Sequence, residues 1–167
     1  MLTRVELGLA PEDFAVLAIG DLNENKNHRV LVEAMVQLPG NVRLLIVGDG
    51  PLRGELEALA KQLDVSDRVS LLGFRKDIAA LLNACDLFCL PSKREGLPVS
   101  LIEAMATGTL VLASDARGCA DVLGGLANTL IVREQSDVAW AYRIMSIQQE
   151  GCSITPFELK SRASAFW

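Results

Sequence analysis

Glu95 and Glu103 are separated by seven residues, with Gly96, Pro98 and a short apolar run between them. From Arg94 to Gly108 the chain reads Arg-Glu-Gly-Leu-Pro-Val-Ser-Leu-Ile-Glu-Ala-Met-Ala-Thr-Gly. Proline suits the first turn of a helix and glycine the position just past its end, so the spacing predicts a helix over residues 98–107. Its unpaired N-terminal donors include the N–H groups of Val99 and Ser100, and with the positive end of the helix dipole these favour an anion. Gly96 lets the backbone approach a ligand closely. Glu95 precedes the helix and Glu103 lies more than one turn inside it. A carboxylate is the natural acceptor for the paired hydroxyls of a sugar or ribose, so the segment can hold a phosphate and hydroxyls side by side. Taken alone, it reads equally well as a solvated loop charge followed by a surface helix residue.

The flanking sequence supports the ligand reading. Residues 86–92, Asp-Leu-Phe-Cys-Leu-Pro-Ser, read as a short buried strand and a loop, which puts Glu95 just past the carboxyl end of a strand. Ligands of open α/β sheets bind there. Three more loops follow strand-like runs. Gly20-Asp21-Leu22-Asn23-Glu24-Asn25-Lys26-Asn27-His28 is a polar turn opening a helix. Lys26 in it is either a point charge for phosphate or an exposed turn lysine, and His28 is expected to face solvent or cap the turn without a catalytic part. Gly48-Asp49-Gly50-Pro51-Leu52-Arg53-Gly54 resembles a dinucleotide fingerprint only superficially. Its third glycine is one place late, Asp49 would repel a pyrophosphate, and it follows the second strand rather than the first. Gly48 and Gly50 remain candidates to line a cleft. Gly73 and Phe74, after the third run, either hold a planar base through backbone groups or form an ordinary connection.

The elements that must position these loops alternate. Strand-like runs at 15–19, 43–47, 69–72, 87–90, 110–113 and 129–132 are interleaved with helical spacing at 30–38, 52–63, 78–83, 98–107, 136–149 and 157–166. Ser136 or Asp137 is placed near an N-cap, and residues 151–156 break the pattern. This β-α-β-α order predicts an α/β fold, a Rossmann-like, doubly wound parallel sheet of about six strands with right-handed crossovers. With 167 residues, 50% apolar and 22% charged, the chain suits one globular domain. A net charge of −5 without a basic run argues against nucleic acid as a partner and against a polybasic membrane anchor. No run has the length of a membrane span, and residues 1–6 lack the apolar core of a signal peptide. The mean hydropathy of +0.30 fits a sheet covered on both faces and a partner domain beyond it. Cys85, Cys89, Cys119 and Cys152 have no zinc-ligand spacing, and His28 is the only histidine, so the cysteines read as buried reduced thiols of a cytosolic protein.

Across about residues 14–123 the four loops, in this order, resemble the donor-binding C-terminal half of the family 4 (group 1) retaining glycosyltransferases, which have the GT-B fold. Residues 91–108 with their Glu-x7-Glu are the most specific match. Asn25-Lys26-Asn27-His28 and Arg117-Gly118 with Asp121 are similar to bacterial capsule and exopolysaccharide transferases. The resemblance implies that Glu103 binds the ribose hydroxyls and that Glu95 meets hydroxyls of the donor sugar. The backbone at Gly96, Leu97 and Val99 would cradle the diphosphate, which Lys26 neutralises as it leaves. Gly20 and Gly48 would line the cleft, and the Phe74–Arg75 backbone would contact the base. The donor would be a nucleotide-diphosphate sugar, with UDP preferred on resemblance alone, and no cofactor or metal is implied. The acceptor would be a glycan or lipid-linked glycan held by an N-terminal domain that this chain lacks, together with the family's last helix. Location would then be cytoplasmic, at the inner face of the membrane in the full-length protein, with any membrane contact peripheral and made through the other half.

The chain departs from the family in two further respects. Asp21 stands where most members carry an arginine for the diphosphate, as in related capsule enzymes with an acidic residue there. Residues 127–129 lack the usual glycine. The isolated half is expected to bind donor and transfer poorly. The alternatives are a non-catalytic nucleotide-sugar-binding module that pairs with a separate chain, favoured by Asp21, and a GT-B-type nucleotide-sugar epimerase, which the Glu-x7-Glu spacing argues against.

Overall fold

Apolar runs too short for core helices become strands, and the longer amphipathic stretches between them become helices. The computed structural model describes residues 4–167. In chain order the elements are β1 (Phe14–Ile19), α1 (His28–Ala34), β2 (Val42–Val47), α2 (Arg53–Gln62), β3 (Val69–Gly73), α3 (Ile78–Ala84) and β4 (Leu87–Leu90). They continue with α4 (Val99–Thr107), β5 (Leu110–Ser114), α5 (Arg117–Leu123), α6 (Ala127–Leu130), β6 (Ile131–Val132), α7 (Asp137–Glu150) and α8 (Pro156–Ala163).

The strands form one parallel sheet in the order β3-β2-β1-β4-β5-β6. Alternate residues of β1 feed opposite faces, as the pleat requires. Val16 and Ala18 join a core with Leu31, Leu56 and Trp140, from α1, α2 and α7. Ala15 and Leu17 join a second core with Leu82, Leu101, Cys119 and Leu159, from α3, α4, α5 and α8. The sheet therefore has helices on both faces, the doubly wound arrangement expected from the sequence. Between β1 and β4 the winding reverses: α1 leaves β1 toward one face and α4 leaves β4 toward the other. Their loops stand side by side at the carboxyl ends of the strands, the position where open α/β sheets form a ligand crevice.

Several boundaries differ from expectation. The run at 129–132 contributes only Ile131 and Val132 to the sheet, paired with Ala113 and Ser114. The preceding residues wind into α6, which sends Leu130 into the core, while the Arg143 guanidinium donates to the Thr129 and Ile131 carbonyls. The helix after β4 starts at Val99, with Pro98 as its N-cap. Gly108, at φ 83°, closes it in the left-handed conformation expected of a glycine past a helix end. α5 has no counterpart in the sequence reading, because Gly118 interrupts a seven-residue helix whose buried side chains are only Cys119, Val122 and Leu123. Ser136 caps α7 by accepting from the Ala139 N–H at 3.1 Å. α8 begins at Pro156 behind a reciprocal Thr155–Glu158 capping box.

Candidate functional site

Two loops meet over the crevice between β1 and β4. From the first, Lys26 Nζ donates to Glu95 Oε1 of the second at 2.7 Å, and the two side chains are 23% and 9% exposed. The lysine and the glutamate singled out from sequence, 69 positions apart, are thus a single ion pair. Each partner compensates the other's loss of hydration. Among the described residues one of the three ammonium donors is used, and Glu95 Oε2 is left to other partners.

Directly after Glu95, the chain turns into α4. The first hydrogen bonds of this helix come from Leu101 and Ile102, both to the Pro98 carbonyl, at 3.1 and 3.2 Å. The Val99 and Ser100 N–H groups precede that ladder and stand at the positive end of the helix dipole. Glu103 lies one turn further on the same helix face as Val99, about 6 Å along the axis. That face is turned from the core, with Val99 exposed and Glu103 partly so, while Leu101, Ile102, Ala104 and Met105 are buried. The Glu103 carboxylate has no polar partner among the described residues. Backbone donors outside the helical ladder are therefore followed, one turn on, by a carboxylate without a polar partner among the described residues, with the Lys26–Glu95 pair on the preceding loop.

Glycines bring these loops together. At Gly48, φ is 139° and an added Cβ would sit 2.0 Å from the Gly20 carbonyl oxygen. At Gly118 it would sit 2.1 Å from the Gly96 oxygen. Only glycine permits either approach. Gly48 is thus a packing contact beneath the first loop, and Gly118 lets the first turn of α5 support the Glu95–Gly96 backbone, whose Glu95 carbonyl accepts from the Gly118 N–H at 3.3 Å. Gly20 closes over the stem of Lys26, whose Cδ lies 3.1 Å from where its Cβ would be.

His28 corrects the sequence reading. It is buried, 2% exposed, as the first residue of α1. Its Nε2 lies 3.2 Å from the Gly20 carbonyl, to which it donates, and its Nδ1 has no partner among the described residues. Burial pushes its pKa down to about 4, with Lys26 adding to the effect, so the ring is neutral at pH 7. Asp21 is exposed at the rim of the same loop. Beyond β3, Phe74 is exposed and Arg75 pairs with Asp77 at 2.6 Å. The two stand at the carboxyl end of the sheet, with no side-chain bond to the Lys26–Glu95 pair. The four cysteines are free. Burial raises the Cys119 thiol to about 12, with the Glu95 charge adding to it, so it stays protonated.

No group of three or more His, Cys, Asp or Glu among the described residues is placed to hold a metal ion. No helix among them is long and apolar enough to cross a membrane.

Comparison with known proteins places this geometry in context. The family model for group 1 glycosyl transferases matches residues 2–163. An N-acetylgalactosaminyltransferase of Campylobacter jejuni, acting on a diphospho-undecaprenol glycan, is 35% identical over 70% of this chain and 32% of its own length. The amylovoran biosynthesis glycosyltransferase AmsK of Erwinia amylovora is 29% identical over 94% of this chain and 44% of its own. Among solved structures, Anabaena HepE in complex with UDP and glucose superposes with a TM-score of 0.89 at 28% identity, covering 97% of this chain and 46% of that one. The chain thus spans 32% to 46% of the length of these relatives. The Rossmann-like half of a GT-B enzyme expected from the sequence is the fold observed.

Proposed function

Because this chain belongs to the group 1 glycosyl transferases, we propose that it is the nucleotide-sugar-binding domain of a retaining glycosyltransferase of polysaccharide or glycan biosynthesis. In this reading the sequence is one Rossmann-like domain, and the acceptor domain and the family's closing helix belong to a remainder that completes the enzyme. The observation that carries the reading is the Lys26–Glu95 ion pair at 2.7 Å beside the open N-terminus of α4. The diphosphate of the donor sits on the Val99 and Ser100 N–H groups and the Gly96–Leu97 backbone. Lys26 keeps Glu95 on one N–H and offers another to a phosphate oxygen. Glu103 accepts from the ribose hydroxyls, Glu95 Oε2 accepts from a sugar hydroxyl, and the Phe74–Arg75 backbone meets the base. As the glycosidic bond to the nucleotide breaks, charge grows on the departing diphosphate. Fixed donors and an already oriented ammonium stabilise it without reorganising. The relatives' chemistry supports a sugar donor, and the UDP held by HepE supports a uridine nucleotide.

Pairing with Glu95 neutralises a carboxylate that would otherwise repel the diphosphate. Asp21 on the rim has no such partner among the described residues, which favours a second reading, a binding module that has lost transfer. Calorimetry with UDP, GDP and ADP on the wild type and Glu103→Ala tests the nucleotide site. The expected result is a preference for UDP and about a tenfold loss in the variant, the scale of one lost hydrogen-bonded pair. Unchanged UDP affinity in Glu103→Ala refutes the ribose assignment. Sugar transfer by the chain joined to its acceptor domain separates enzyme from binding module.

A further inference from the structure

The run Asn25-Lys26-Asn27 does more than supply one lysine. Asn25 Nδ2 donates to the Arg94 carbonyl at 3.0 Å, and the Arg94 N–H donates to Asn25 Oδ1 at 3.1 Å. One side-chain amide thus closes both hydrogen bonds with one residue of the opposite loop. The Lys93 N–H donates to the Asn25 carbonyl at 2.8 Å, and Asn27 Nδ2 donates to the Pro91 carbonyl at 3.3 Å. Asn27 sits at φ 53°, in the left-handed region that asparagine tolerates better than most residues. Four hydrogen bonds thereby stitch the loop after β1 to the loop after β4, across the point where the sheet reverses. Lys26 follows Asn25, and Glu95 follows Arg94. Both members of the ion pair are one residue from the same clamp.

We infer that Asn25 is a positioning residue: its side-chain amide, locked to the Arg94 backbone, sets the separation of Lys26 and Glu95 and keeps the pair formed before any donor arrives. An amide has the required chemistry, because it presents a donor and an acceptor side by side to the C=O and N–H of one residue. Asp at this position keeps the acceptor but sets a carboxylate oxygen against the Arg94 carbonyl. Ala removes both bonds. A lysine ammonium held in a lasting ion pair exchanges its protons slowly enough to be seen by NMR, whereas a solvated one does not. The clamp's geometry stands on its own, while its consequence for donor binding rests on the proposed function.

Two readouts test it on the full chain. In the ligand-free wild type, the Lys26 ammonium gives a persistent 1H–15N signal. Asn25→Ala and Asn25→Asp lose that signal while their unfolding transitions stay cooperative, and the surface control Asn83→Ala keeps it. The proposal is overturned by a wild type without the signal, by a signal that persists in Asn25→Ala, or by two Asn25 variants that fail to fold, which would make the clamp a folding element. In UDP titrations, Asn25→Ala weakens binding about tenfold, leaves uridine binding unchanged, and causes no further loss when Lys26 is already alanine. Equal losses in both backgrounds contradict an action through Lys26. A wild type that binds no UDP refutes the proposed function, and the ammonium signal still decides the clamp.

Discussion

Lys26 meets Glu95 at 2.7 Å in a site where the glutamate is 9% exposed, so removing either partner leaves a charge with little water to replace it. Lys26→Met is expected to lower stability by about 2 kcal/mol in urea unfolding, the scale of a half-buried charge left unpaired. Glu95→Gln, which keeps an acceptor for the ammonium, costs less. His28 makes a different prediction. Its pKa falls from 6.5 to about 4 on folding, chiefly through burial. The unfolded chain therefore binds more protons between those values, and the stability from keeping the ring neutral is whole above pH 6.5 and lost as pH falls toward 4. The loss amounts to roughly 3 kcal/mol. His28→Asn removes that dependence, and unfolding midpoints measured between pH 4 and 7 check it. Sequence alone sent His28 to solvent or to a cap of the turn, because a lone histidine after a polar turn shows nothing of its burial or of the Gly20 carbonyl it bonds. Glu95, Glu103 and Lys26 stood out through the family resemblance of their loops, because their types and spacing alone fit solvated charges equally well, and the pairing of Lys26 with Glu95 shows only in the structure.

At the scale of elements, the loops depend on glycines whose replacement has a backbone to move. Gly48→Ala and Gly118→Ala each drive a Cβ to about 2 Å from a carbonyl oxygen, and Gly48→Ala adds an unfavourable φ. Each is expected to destabilise by about 1–3 kcal/mol in chemical unfolding. Gly118→Ala also displaces the Glu95–Gly96 backbone and weakens UDP binding. Gly125→Ala, with open space around its Cβ, serves as the neutral control. Thr155→Ala breaks the capping box of α8 and costs about 1 kcal/mol by the same measurement. Strand positions were readable because near-continuous apolar runs mark parallel strands. The run at 129–132 misled for the same reason: an apolar stretch entering the core looks alike as strand or helical turn, and only the two residues beside Ala113 and Ser114 found a ladder. α5 escaped because its glycine, needed for contact with Gly96, weakens the helical signal where the site needs support.

For the whole molecule, the decisive feature is the strand order. The reversal between β1 and β4 puts two loops, 69 positions apart at Lys26 and Glu95, over one crevice. The alternation of elements predicted a doubly wound sheet, but the contact between the two loops follows from the order of its strands, and the Asn25 clamp is visible only once they are adjacent. The central claim is that this crevice binds a nucleoside diphosphate through the open end of α4, and amide NMR of the 18.0 kDa chain tests it residue by residue. On titration with UDP, the largest shifts are expected at Gly96, Leu97, Val99, Ser100 and Glu103, with Lys26 moving in step. No shifts at millimolar UDP, or the largest ones at the amino ends of the strands around Asn41 and Asp86, would contradict the account.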